Sequence, residues 1–343
     1  MNVSRALFLR NLVSRFTQAQ RINTRRLTNL NLSCRKGITI DITRRMATSQ
    51  AGKGGEFKAN VPKQEQELPG LERDMEPTSE STKLESSRGF QEYVGSNKLL
   101  DKAAIITGGD SGIGRAIAAL YAREGCDVTV VYLPSEQVDA DETKRLVESS
   151  GRQCNLIPFD LEDLHNLYKI VDNHMQRFGR LDILVNNASK QVQTKEFEDL
   201  DIDMMQSVFR SNVMQMLALT KFAVKHIPKG GSVINTTSVV AFRGTASMVD
   251  YAATKGAIVG FTRALSKNLI SKGIRVNAVA PGPVHTPLQP ASRPEEQMEG
   301  FGKQSQIGRA GQPVEIATSF VFLASKDASL YYGQILHAYP MGD

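Results

Sequence analysis

From Leu99 onward, short apolar runs alternate with longer spans whose apolar residues recur every three or four positions. Lys102 to Thr107 is too short for a helix and is bounded by glycines, so it predicts a strand. Residues 115–124 predict a helix with Ile117, Leu120 and Tyr121 on one side, ended by Gly125. Asp127 to Leu133 is β-branched and strand-like. The alternation continues with strands over 155–159, 181–185, 231–236, 275–279 and 334–338. Helices are predicted to about 150, to 178, and over 203–226, 250–271 and 313–324. Strands separated by helical spans require right-handed crossovers, hence a doubly wound parallel α/β sheet with helices on both faces. No repeat of 20–50 residues interrupts this pattern.

Before Leu99 the periodicity fails. Residues 46–98 are polar, hold Pro62, Pro69 and Pro77, and predict an extended, partly disordered arm that wraps a neighbour, or else a plain linker. Residues 1–40 lack Asp and Glu and are rich in Arg, Ser, Thr and Asn. Leu9, Leu12, Val13 and Phe16 share one helical face, and Arg10, Arg15 and Arg21 lie off it, although Arg5 falls on it. This is the composition of a mitochondrial transit peptide over 1–45, with a disordered basic tail as the alternative. Arginines interrupt every apolar stretch that a secretory signal would need. Met46 is a candidate internal start that would give a cytosolic form. The expected divisions are therefore 1–45, 46–98 and a catalytic domain over 99–343.

Charge changes meaning once divided this way. The net +6 of the 343 residues includes +9 from residues 1–45, which leaves the remainder at −3. The folded part therefore offers no basic surface for nucleic acid, and a nucleic-acid reading would rest on the tail alone. No run approaches the roughly 18 apolar residues of a membrane-spanning helix. Cys34, Cys126 and Cys154 are odd in number and show no C-x-x-C spacing, which argues against a disulfide scaffold or a cysteine metal site. The five histidines make no H-E-x-x-H pair.

The chemistry concentrates in three places. Gly108, Gly112 and Gly114 sit between the first strand and its helix, with Ser111 and Ile113 in the same turn. Side chains at the glycines would block a tight turn, the approach of a pyrophosphate, or helix–strand packing, as in a Rossmann-type fold. The helix start offers free N–H groups to phosphate. The spacing is G-x-x-x-G-x-G rather than the commoner G-x-G-x-x-G. Tyr251 and Lys255 are four apart on a predicted helix, so both project from one face. A free phenol titrates near 10, and a nearby ammonium favours the phenolate, giving a general acid or base. The alternative is a surface tyrosine beside a solvated lysine, yet Tyr251 alone of eight tyrosines has Lys at +4. Ser238 ends a predicted strand at the carboxyl edge of the sheet and could bind a substrate oxygen, or merely cap a helix.

Thr107 to Gly114, Asn186-Asn187-Ala188-Ser189, Ser238 with Tyr251-x-x-x-Lys255, and Pro281-Gly282 together resemble the short-chain dehydrogenase/reductase family over residues 99–343. Tyr132-Leu133-Pro134, the 250–257 stretch, Gly308 to Pro313, and the arm segments 62–64, 69–70 and 93–96 are similar to its glucose/ribitol dehydrogenase and aldehyde reductase branch. The resemblance implies catalytic roles for Asn212, Ser238, Tyr251 and Lys255, with Asn212 holding a helix kink and a water that links Lys255 to solvent. It implies that Tyr132 belongs to the cofactor seat and that Asp160 bonds the adenine edge. Asn187 and Ala188 would line the ribose, and Lys255 would reach the nicotinamide ribose. Pro281, Gly282, Val284 and Thr286 would face the carboxamide and pyrophosphate. Two departures stand out: Ser189 where glycine is usual, and a chain end from Ala338 to Asp343 where a double glycine is usual.

An acid ending the second strand would select NAD, and Val131 to Ser135 holds neither acid nor base. NADP(H) is therefore expected ahead of NAD(H), with Arg115 and Ser135 as partners for its 2′-phosphate. The loop over 284–308 is polar and punctuated by Pro and Gly, as a substrate lid is, and its His285 is expected to face solvent. The reading is a nicotinamide-dependent oxidoreductase acting on a small carbonyl/alcohol substrate. The resemblance implies a homotetramer or homodimer paired through the helices near 203–226 and 250–271. The rival is a catalytically silent dinucleotide-binding regulatory or scaffold protein.

Overall fold

In the computed structural model, which describes Phe57 and residues 60–340 except Arg88, seven parallel strands form one sheet. They are β1 (Ala103–Thr107), β2 (Asp127–Tyr132), β3 (Cys154–Pro158), β4 (Ile183–Asn186), β5 (Ser232–Thr236), β6 (Arg275–Pro281) and β7 (Ile335–Ala338). The spatial order is β3-β2-β1-β4-β5-β6-β7. The chain works outward from β1 to β3, then crosses to β4 on the other side of β1. That reversal opens a crevice beyond the carboxyl ends of β1 and β4, where ligands bind in such sheets. Residues 1–45, expected to be a transit peptide, lie outside the described residues with Cys34 among them, as do Met46 and the last three residues.

Connecting helices are α1 (Gly112–Arg123), α2 (Gln137–Ser149), α3 (Tyr168–Phe178), α4 (Ile202–Phe209), α5 (Gln215–Ala223), α6 (Val240–Arg243), α7 (Val249–Leu269) and α8 (Pro313–Ala324). The five inner strands are buried on both faces while the edge strands β3 and β7 are only partly buried, and the side chains alternate between two apolar layers. Ala104, Ile106, Val128 and Val130 join Ile117, Leu120 and Phe320 on the α1/α8 side. Ile105, Val131 and Leu184 join Ile170, Leu219 and Leu269 on the other. The single helix expected over 203–226 is interrupted by a π turn at Arg210–Met214, which separates α4 from α5.

Residues 60–98 lie against this domain. Their only regular pairing is a short antiparallel ladder, Lys83–Leu84 with Gln91–Glu92. Val61 and Met75 are buried. Farther along, the Glu124 carboxylate accepts from the Tyr93 hydroxyl and from the N–H groups of Ser96 and Lys98.

Candidate functional site

The first βα turn is built around Thr107. Its hydroxyl accepts from the N–H groups of Asn187 (2.9 Å) and Ala188 (3.1 Å), tying the ends of β1 and β4 together. Asn187 returns its side-chain amide to the carbonyls of Thr107 (3.2 Å) and Gly108 (3.1 Å). Gly108 adopts a φ of +59°, and a Cβ there would lie 3.0 Å from the Ala188 Cα. The two strand ends approach so closely that only glycine leaves the turn undistorted.

A cavity of about 350 Å³ opens over this turn. Every residue expected at the site lines it except Gly114, Asn212 and the two expected 2′-phosphate partners, Arg115 and Ser135. Gly108, Ser111, Gly112 and Ile113 form its floor at the start of α1, while Tyr132 and Asp160 lie at the ends of β2 and β3. Ala188, Ser238, Tyr251 and Lys255 line it, as do Pro281, Gly282, Val284 and Thr286. Asp160 is partly engaged, its Oδ1 accepting from Glu162 N at 2.9 Å. The cavity and the glycine cradle fit a dinucleotide, as does the orphaned, buried Asp110 Oδ2 at its edge.

Tyr251 and Lys255 rise from α7, as the spacing predicts. Lys255 is 2 % exposed; its Nζ donates to the Thr236 carbonyl at 3.1 Å and lies 5.2 Å from the Tyr251 ring centre. The Tyr251 phenol takes side-chain hydrogen bonds with Ser238 and Ser189. Burial pushes the phenol up to about 12, against the lowering effect of those two hydroxyls and of Arg293. Burial likewise lowers the Lys255 ammonium to about 7. This corrects the expectation that Lys255 acidifies Tyr251. A lysine so far desolvated is only partly charged near neutrality, and the loss of water around the phenol outweighs it.

Asn212 is fully buried in the π turn and reaches no part of the cavity. Its Oδ1 accepts from Lys190 N (2.7 Å) and Ser189 Oγ (3.2 Å). Its Nδ2 donates to Lys190 O (2.8 Å) and Thr254 Oγ1 (3.1 Å). Asn212 thus locks the loop after β4 onto α7, and Ser189 links it to the phenol.

Two further expectations are corrected. His285 does not face solvent: it is buried, its Nε2 bonded to Pro77 O at 2.8 Å, and burial lowers its basicity. Arg115 does not border the cavity. Its guanidinium turns into the domain, to Asp110 O (2.9 Å), Thr143 Oγ1 (3.2 Å) and the Asp139 carboxylate (3.3 Å). Ser135 borders a separate groove beside residues 65–71. Two acids take the place expected to be neutral: Asp110 and Glu136 line the cavity beside Tyr132 and Leu133. Glu136 accepts from Leu133 N at 2.9 Å, and burial beside Asp110 pushes its carboxyl up to about 8. The sequence places Glu136 three residues beyond Leu133, and only the turn at Pro134–Glu136 folds it back.

Comparisons with known proteins agree with this geometry. A family model described as enoyl-(acyl carrier protein) reductase matches residues 108–338. The NADPH-dependent aldehyde reductase 1, chloroplastic, of Arabidopsis thaliana is 48% identical over 262 residues, 74% of this chain and 91% of the relative. The glucose and ribitol dehydrogenase of Daucus carota is 45% identical over 289 residues, 83% of this chain and 96% of the relative. A short-chain dehydrogenase from Burkholderia cenocepacia, crystallised in complex with NADP, superposes with a TM-score of 0.66 at 31% identity, covering 70% of this chain and 97% of its own.

Proposed function

The chain belongs to the short-chain dehydrogenase/reductase family of oxidoreductases, and from that premise we propose that it interconverts a small aldehyde, ketone or sugar-like carbonyl with its alcohol, using NAD(P)(H). The observation that carries this reading is the convergence of Ser238, Tyr251 and Lys255 on the cavity formed over the glycine turn. A nicotinamide dinucleotide supplies or accepts the hydride.

The chain's own residues then handle the proton and the charge. Ser238 donates to the substrate oxygen and holds the Tyr251 phenol in register with it. Tyr251 passes its proton to the carbonyl oxygen in reduction and removes one from the alcohol in oxidation. Lys255, poised near 7, shares charge with the phenolate as it forms. Pro281, Gly282, Val284 and Thr286 line the same cavity and help to exclude water from it.

We read NADP(H) ahead of NAD(H). Support comes from the NADP-bound neighbour, from the NADPH dependence of the Arabidopsis aldehyde reductase, and from a Glu136 carboxyl held neutral near neutral pH. We also infer pairing through the helices flanking the site. Met214, Leu217 and Val249 stand exposed on that surface, and Gly256 and Gly260 leave open space for a close neighbour. A single-subunit mass by light scattering would contradict pairing. The mitochondrial address is a proposal read from residues 1–45, checked by sequencing the mature N-terminus in fractionated cells.

The central test is NADPH oxidation with a panel of small aldehydes and sugars, comparing the wild type with Tyr251→Phe. Turnover in the wild type, lost in the variant while the nucleotide still binds, supports the enzyme. Equal rates in both would favour a dinucleotide-binding scaffold.

A further inference from the structure

Residues 66–77 run beside the cavity and are fastened to two parts of the domain. Toward the substrate loop, Gln66 N donates to Pro290 O at 3.0 Å, and His285 meets Pro77 O at 2.8 Å. Gly70 packs so tightly there that a Cβ would lie 2.5 Å from Pro287 O. Toward the glycine turn, Glu72 N and Arg73 N donate to the Asp139 carboxylate at 2.8 and 3.2 Å. Between these anchors, Leu68 and Pro69 line the cavity itself.

Glu72 is the link between arm and turn. It is 2 % exposed; its Oε2 accepts from Gly112 N at 2.8 Å and its Oε1 from Ser79 N at 2.9 Å. Gly112 is the first residue of α1, and Ser111 before it makes no side-chain cap. The opening N–H groups of a helix have no partner within it. Glu72 takes the first of them from the arm side, and the N–H of Ile113, which lines the cavity, remains for an anion there. Gly112 has no side chain to hold its φ of +48°, so the carboxylate fixes the orientation of the peptide that opens the helix.

We propose that the arm is part of the dinucleotide site, with Glu72 as a positioning residue that sets the glycine turn and Leu68–Pro69 as a fixed wall over the bound dinucleotide. This deepens the functional reading and rests on the cavity being a dinucleotide site. The carboxylate shares the helix end with the ligand's pyrophosphate, so its value lies in the hydrogen bond rather than in its charge.

The test is titration of the full-length chain with NADPH by calorimetry, alongside steady-state kinetics with a small aldehyde. Glu72→Ala is expected to raise the dinucleotide Kd and KM about tenfold while leaving kcat at saturation within about twofold. Glu72→Gln, which keeps one acceptor oxygen and removes the charge, restores binding to within about threefold. Leu68→Ala, on a half-buried side chain, raises Kd about threefold and decides the matter should Glu72→Ala not fold. Wild-type binding matched within experimental error by Leu68→Ala and Glu72→Ala overturns the proposal and leaves the cofactor reading intact. A Glu72→Gln chain as weak as Glu72→Ala assigns the loss to general loosening of the arm and overturns the positioning role. Failure of the wild type to bind any nicotinamide dinucleotide removes both.

Discussion

Lys255 Nζ sits 5.2 Å from the centre of the Tyr251 ring, yet its hydrogen bond goes to the Thr236 carbonyl. The ammonium is therefore held against the end of β5, beside the phenol, at a position where burial strips its charge. The fold bears that burial for the site and gains nothing from it in stability.

The sign of the resulting pH dependence is fixed. In the unfolded chain a lysine titrates near 10.4; in the fold Lys255 is lowered to about 7. Between those values the unfolded chain holds a proton that the fold has shed, so stability rises with pH across the window. Below about 7 the fold carries the buried charge in full. Lys255→Met should lower kcat by about 10²–10⁴-fold while raising Tm by several degrees. The gain should be largest at pH 6 and shrink toward pH 10, as read by calorimetric scans. A Tm gain independent of pH would show that the lysine is not desolvated.

Ser189 stands where the family usually has glycine, and its hydroxyl joins the Tyr251 phenol to Asn212. Hydrogen bonding to the phenolate lowers the phenol's pKa. Ser189→Gly should therefore move the basic limb of the alcohol-oxidation pH profile to higher pH and reduce kcat near neutrality about three- to tenfold. The dinucleotide KM should stay within about twofold. An unmoved limb would remove Ser189 from the proton path.

Glu136 lies in the cavity with a carboxyl pushed up to about 8 by burial and by Asp110. Below that value it is neutral and leaves a 2′-phosphate undisturbed; above it, like charge repels the phosphate. The ratio of kcat/KM for NADPH over NADH should fall about fivefold between pH 7 and 9.5, on the order of 1 kcal/mol for a partly screened pair. Glu136→Gln should flatten that fall. A constant ratio in the wild type would place the 2′ position elsewhere.

What the sequence made legible was local. The alternation of strand and helix and the glycine turn depend on neighbours within a few residues, and so does the pairing of Tyr251 with Lys255. These appear as expected save for the helix over 203–226, which a π turn at Arg210–Met214 interrupts. Glu72, His285 and Arg115 acquire their surroundings from distant segments, and an i-to-i+4 reading carries no signal for them. The phenol's basicity was misjudged for a related reason: a motif shows that a cation is adjacent, but not how much water both groups lose. Asn212 shows the intermediate case. The family resemblance implies its helix kink, while its partners on Lys190 and Thr254 needed the fold.

Gly114 bounds the site without lining it. A Cβ there would lie 1.8 Å from the Gly108 carbonyl oxygen and 2.8 Å from the Gly109 Cα, both backbone atoms with no side-chain freedom to yield. Gly114→Ala must push α1 away from β1, and α1 also packs on α8 through Ile117, Leu120 and Phe320. Overpacking of this kind costs about 1–3 kcal/mol or more. The variant should lose roughly 2–8 °C in Tm for a domain of this size and bind NADPH more than about tenfold more weakly. Equal Tm and affinity in Gly114→Ala and wild type would mean that the turn is looser than its geometry states.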